Sequence, residues 1–188
     1  MPKVDILPLF PTGVGQVPNF ISEDERLKIF ESIKTIPHHP HLSIVGEGYS
    51  THKKCPDFLD RDIKLRLNFA VNEYSGRYGF PPLKVSNIWS NIQNSGSRLN
   101  EHTHPDSIIS GALYINVDES CKLYFHNPNP YIFFTSKTKY TEYNYEHYDM
   151  YVENCQLILF PSWLKHGKYS EVNQMDQRIV VSFNAILR

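Results

Sequence analysis

Beyond Gly79-Phe80-Pro81-Pro82 the chain breaks into short runs rich in Val, Ile, Tyr and Phe, each bounded by Asn, Ser, Gly or Pro. This punctuation constrains the fold more than any other feature. Runs of this length between turn residues make the short strands of a sandwich or barrel. Strands are expected at 84–93, 97–104, 108–117, 121–126, 131–135, 150–153, 156–161, 167–172 and 177–187. Asn94-Ser95-Gly96-Ser97 reads as a hairpin turn after the first of them.

The part before Pro82 has a different period. Ser22 followed by Glu23-Asp24-Glu25 is a helix start, with a capping hydroxyl and acids in the first turn. Leu27, Phe30 and Ile33 then recur at helical spacing to about residue 35. A second helix is expected from Asp57 to Tyr78, with Leu59, Ile63, Leu67, Ala70 and Tyr74 on one stripe. Residues 6–20 read as extended or irregular. Residues 36–57, with Pro37, Pro40 and Pro56, read as a long loop holding at most a short strand. No repeat and no linker is visible, so residues 1–188 are expected to form one domain, mainly β with flanking helices. Its helical part covers about 1–82 and its β core about 83–188, with the helices packed on one sheet.

Composition excludes several classes. Lys+Arg total 19 and Asp+Glu 20, so there is no basic excess to attract nucleic acid or an anionic membrane. The longest apolar runs fall far short of the roughly 20 residues of a membrane helix. Cys55, Cys121 and Cys155 are odd in number and far apart, which suits a reducing, cytoplasmic compartment and no disulfide framework.

His102-Thr103-His104-Pro105-Asp106 packs three metal-binding side chains into five residues. In an extended chain, positions i, i+2 and i+4 face one way. Adding the distant His166 gives a set of the kind that holds non-heme iron(II), although imidazole and carboxylate also suit zinc or manganese. Arg178 opens Arg-Ile-Val-Val-Ser-Phe-Asn, a run too apolar for an exposed strand. A buried arginine needs an anionic partner, and its planar fork suits a carboxylate. His38, His39, His41 and His52 read as polar residues of the Pro-rich loop. Tyr131, Tyr140, Tyr143, Tyr145 and Tyr148 crowd residues 129–149, which read as a surface hairpin or a substrate-facing lid.

Two blocks then carry a resemblance. Asn87-Ile-Trp89-Ser-Asn91, Gly96, Leu99-Asn-Glu-His102-Thr-His104-Pro and Ser110-Gly111-Ala-Leu-Tyr114 form the first. Leu157-Ile-Leu-Phe160-Pro161-Ser162-Trp163-Leu164-Lys-His166 with Arg178-Ile-Val-Val-Ser182-Phe183-Asn184 forms the second. Together they resemble the 2-oxoglutarate/iron(II) oxygenases of microbes and their phages. The resemblance implies a double-stranded β-helix, a jelly-roll barrel with the iron inside one mouth. It implies metal ligands drawn from His102, His104, Asp106 and His166. The wider superfamily has His-x-Asp at the first pair. Here the spacing from Gly96 puts His104 where the aspartate stands, while His104-Pro-Asp106 restores the literal motif two residues later. It implies that Arg178 anchors the far carboxylate of 2-oxoglutarate, with Tyr114 and Ser182 adding hydrogen bonds and Asn91 and Trp89 lining the pocket. The usual Arg-x-Ser is absent, since Val180 stands at its third position. The expected activity is hydroxylation of an unactivated C–H bond, on peptidyl proline or a small molecule, using Fe(II), 2-oxoglutarate and O2 and releasing succinate and CO2. A phage-encoded member would work in the host cytoplasm. Two other readings use the same residues: a non-enzymatic jelly-roll binding or virion module, and a cupin-like metalloenzyme with His102, His104 and His166 that ignores 2-oxoglutarate.

Overall fold

The computed structural model describes residues 5–129 and 136–188. The expected strand at 131–135 and Tyr131 lie outside them. Helix α1 (Glu23–Lys34) begins at Ser22, whose hydroxyl accepts from the Glu25 N–H while the Glu25 carboxylate accepts from the Ser22 N–H. This reciprocal cap satisfies two donors that the first turn leaves free. The helix buries Ile29 and Ile33; Leu27, expected on the inner stripe, is about half exposed. Helix α2 (Arg61–Gly76) starts four residues later than the sequence suggests, because Pro56 and the extended Asp60 hold the preceding segment out of the helix. Its buried stripe is Ile63, Leu67, Val71 and Ser75.

Residues 36–57 contain three short strands, β2 (His39–Pro40), β3 (Ile44–Val45) and β4 (Gly48–Ser50). Of these, β2 and β4 join β1 (Gly15–Val17), β5 (Leu83–Gln93), β7 (Ile109–Asn116), β10 (Leu157–Pro161) and β11 (Arg178–Leu187) in the larger layer. It is an antiparallel seven-stranded sheet in the order β1-β10-β7-β11-β5-β4-β2. The smaller layer is made of pairs. Strand β6 (Arg98–Leu99) pairs with β3, and β8 (Lys122–His126) pairs with β9 (His147–Tyr151). His166 links the pairs, bridging to His102 on one side and Phe125 on the other. The architecture is thus the expected double-stranded β-helix with helices on one sheet, although no continuous pairing closes it into a barrel.

Three expectations at element level are corrected. The strand proposed for 97–104 shrinks to Arg98–Leu99, and the one for 150–153 moves back to His147–Tyr151. No strand forms at 167–172: Gly167 takes φ +86 and Glu171 N–H turns back to the Lys168 carbonyl. Gly96 does sit in a tight turn, at φ +82. That turn carries the chain from one layer to the other, since β6 pairs with β3 and not with β5.

The two faces of the larger sheet receive different cores. On one, α1 and α2 cover Ile109, Leu113, Leu157, Leu159, Ile179, Val181 and Phe183. On the other, Ala112, Tyr114, Ile158, Phe160 and Val180 meet Leu123, Phe125 and Met150 of the smaller layer. No helix of the described residues is long and apolar enough to cross a membrane.

Candidate metal and cosubstrate site

Between the layers lies a cavity of about 560 Å³. Its floor is the β5–β11 pair. Strand alternation sends Trp89, Asn91 and Gln93 of β5 and Arg178, Val180, Ser182 and Asn184 of β11 to the same side. Its wall carries three imidazoles. His102 and His166 exchange both main-chain hydrogen bonds, His102 N–H to the His166 carbonyl at 2.9 Å and the reverse at 3.0 Å. This local antiparallel pair joins positions 64 residues apart and brings the rings together, with centroids 4.2 Å apart and planes tilted by 54°. Gly167 permits it: a Cβ there would lie 2.5 Å from the Asn100 carbonyl oxygen. His104 is fixed by its N–H bond to the Ser162 carbonyl at 2.9 Å. Its Nε2 lies 3.2 Å from His166 Nε2.

One nitrogen from each of His102, His104 and His166 lies within 4.8 Å of the others. Asp106 is not brought into this group. It sits in the exposed turn after Pro105 with φ +63, a left-handed conformation that aspartate tolerates. It reaches the cavity rim and does not join the three imidazoles.

The protonation pattern suits a divalent cation. His102 Nδ1 donates to the Asn100 carbonyl at 2.8 Å, and His166 Nδ1 to the Leu164 carbonyl at 2.9 Å. A carbonyl only accepts, so each of these rings keeps its lone pair on Nε2. This is how ligating imidazoles are oriented in metal sites. Burial lowers the pKa of all three rings, His166 well below the ordinary histidine range and His104 to about 3, with neighbouring imidazoles adding to the effect at His104 and His166. Phe160 and Phe125 pack against the His166 ring and keep that side apolar.

Arg178 is 8% exposed. One amino group donates to Gln93 Oε1 at 2.6 Å and the other lies 3.4 Å from the Lys122 carbonyl. Among the described residues no carboxylate pairs with it. Tyr114, fully buried, stands beside Val180 in the β7–β11 register, where burial raises its phenol and the Arg178 charge opposes the rise. Asn91 Nδ2 donates to Ser182 Oγ at 3.1 Å. Ser182 pairs across the strands with Trp89, which packs on the His104 ring at 5.8 Å.

Several lining residues were not assigned to the site from the sequence, among them Gln93, Asn87, His41 and His52. Gln93 and Asn87 follow from Trp89 and Asn91 by strand alternation, a signal that was available. His41 and His52, assigned to a surface loop, reach the cavity, where His52 meets Trp89 at 4.7 Å and His41 at 5.1 Å. No local pattern marks them, because the loop's path is set by β4 joining β5. Tyr140, Tyr143, Tyr145 and Tyr148 are exposed and do not line the cavity.

Residues 87–184 match the family model described as "Putative 2OG-Fe(II) oxygenase". No curated protein sequence matches the chain. Among solved structures, HygX of Streptomyces hygroscopicus with nickel and 2-oxoglutarate bound is similar at TM-score 0.63 and 11% identity, over 94% of this chain and 83% of that one. A Pseudomonas putida prolyl-4-hydroxylase gives 0.62 and 14%, over 94% of both. The viral collagen prolyl hydroxylase of Paramecium Bursaria Chlorella virus-1 gives 0.56 and 10%, over 93% and 96%. The family match covers just over half of the chain and runs from β5 into β11, so the chain belongs to the 2-oxoglutarate/iron(II) oxygenase family, whose chemistry uses Fe(II), 2-oxoglutarate and O2.

Proposed function

We propose that residues 1–188 work as one oxygenase domain that hydroxylates a C–H bond of a bound substrate. His102, His104 and His166 would hold the iron, and Arg178 would bind the far carboxylate of 2-oxoglutarate. The observation that carries this reading is the shared cavity: three neutral, converging imidazoles on its wall and, on its floor, a buried arginine with no carboxylate partner among the described residues. Iron(II) with 2-oxoglutarate and O2 supplies the oxidation, in which the cosubstrate becomes succinate and CO2 and one oxygen atom enters the C–H bond.

The chain's own groups bind and orient. Arg178, held by Gln93 and mostly buried, would present its charge to a carboxylate away from bulk solvent, where such a pair is strong. Tyr114 shares that deep end. Ser182 is four residues along the strand, about 13 Å, so it and Asn91 would meet the cosubstrate nearer the imidazoles and not at the Arg178 end. Trp89 packs on the His104 ring and Phe160 and Phe125 on the His166 ring, giving each an apolar side. The three-imidazole set is the one a cupin-like enzyme would use. The guanidinium, which meets no carboxylate among the described residues, favours the use of 2-oxoglutarate instead.

Peptidyl proline or a small molecule is the proposed target. Succinate should form from 2-oxoglutarate only with iron and O2 present, and His166→Ala should abolish it. Absence of 2-oxoglutarate binding to the Mn(II)-loaded protein under anaerobic calorimetry would end the proposal.

A further inference from the structure

Beside the cavity floor, a row of three serine hydroxyls, two of them buried, joins Asn184 to the main chain of His104. It has four contacts. Ser107 Oγ lies 3.0 Å from the His104 carbonyl oxygen and 2.9 Å from Ser162 Oγ. Ser162 Oγ lies 2.8 Å from Ser110 Oγ, and Ser110 Oγ lies 2.9 Å from Asn184 Oδ1. Ser110 and Ser162 are 1% and 0% exposed, so bulk water does not supply a missing hydrogen.

Each hydroxyl owns one hydrogen. Three hydroxyls therefore bring three hydrogens to four contacts. The His104 carbonyl only accepts. With an amide oxygen at the other end, both ends draw a hydrogen outward. One oxygen–oxygen contact in the middle is then left with lone pairs facing each other. An amide's oxygen and nitrogen have nearly the same shape, and the bonding network decides between them. A half turn of the Asn184 amide places Nδ2 against Ser110 and moves no other atom. Four hydrogens then serve four contacts, all running one way: Asn184 to Ser110, to Ser162, to Ser107, to the His104 carbonyl.

The consequence is on the cavity side. Asn184 lines the cavity. It is six residues past Arg178 on the same strand face, about 20 Å along the strand and well beyond a five-carbon diacid bound at Arg178. A break in the β5–β11 register falls directly after it, a device that re-aims side chains. From this hydrogen count we infer that Asn184 presents its carbonyl oxygen, and not its amino group, to the outer part of the cavity, and that the prime substrate carries an N–H or O–H donor there. The inference rests on the reading of the site as an oxygenase cavity with the cosubstrate at the Arg178 end. It assigns Asn184 as a specificity-determining residue and the three serines as what holds its orientation.

Two measurements test it. The first is NMR of the side-chain amide in the protein without metal. The Asn184 NH2 protons should show cross-relaxation to Ser110 Hβ and slowed exchange with water. Fast exchange with no contact to Ser110 overturns the orientation, whatever the metal chemistry. The second uses acetamide, N-methylacetamide and N,N-dimethylacetamide at equal concentration on the zinc- and 2-oxoglutarate-loaded protein, following the Asn184 amide resonance. The two amides with N–H groups should shift it, the dimethyl compound should not, and Asn184→Leu should abolish the discrimination in the neighbouring Trp89 and Ile186 signals. Equal shifts from all three, or none from any, overturn the donor requirement. A failure of the underlying oxygenase reading shows separately, as loss of 2-oxoglutarate binding in the loading step.

Discussion

Strand β11 has two faces with opposite tasks. Ile179, Val181, Phe183 and Ala185 point towards the helices and are essentially inaccessible. Arg178, Val180, Ser182 and Asn184 point towards the cavity and carry the polar groups of the floor. The helix face is held by apolar contacts that share the load among many side chains. The cavity face is held by specific bonds: Arg178 to Gln93, Asn91 to Ser182 and Ser110 to Asn184. One strand thus joins a tolerant half to an exacting half, and a substitution should reveal which half it touches.

The largest effect expected from this division is on stability. Phe183→Ala should cost about 3–5 kcal/mol in denaturant unfolding, while the 2-oxoglutarate affinity of the fraction still folded stays the same. A parallel loss of affinity would show that the two faces are not separable. Arg178→Leu tests the converse. It should weaken 2-oxoglutarate binding by at least about 30-fold, the equivalent of about 2 kcal/mol, with a smaller stability change than Phe183→Ala.

Acid probes the cavity wall. His104 and His166 are held neutral in the fold, whereas an unfolded histidine titrates near 6.5. Below that value the unfolded chain binds protons that the folded metal-free protein does not. Stability is therefore whole above about pH 6.5 and declines as the pH falls, by about 1.4 kcal/mol per pH unit for each such imidazole. Melting of the metal-free protein between pH 7 and 5 should follow this slope, and a flat profile would mean that the rings are hydrated. The smallest effect lies on the helical side: Ser22→Ala should cost about 1 kcal/mol in thermal unfolding and leave cosubstrate binding unchanged.

What the sequence made legible follows the same division. Strands β5, β7, β10 and β11 are long, apolar and cleanly punctuated, and their expected and observed limits differ by a residue or two. The smaller layer was harder to read. Its strands are short and joined through single bridges at His166, so periodicity has too few residues to register. Leu27 fitted a helical stripe and yet points outward, because helical spacing alone does not say which side faces the sheet. At the site, His102, His104 and His166 were visible as a pattern. Asp106 shared that pattern's spacing, but the chain leaves the extended conformation at Pro105 and the i+4 argument fails there. His41 and His52 arrive from a loop whose path depends on strand pairing, which no local signal encodes.

The position of β11 in the sheet has a consequence for biosynthesis. It lies between β7 and β5, and both are made before it. Until residues 178–187 are made, β7 and β5 each lack the strand that pairs with them from between. The strand that carries Arg178 is therefore also the keystone, and a ribosome stalled before it would leave a sheet open in the middle and prone to capture a strand from another chain.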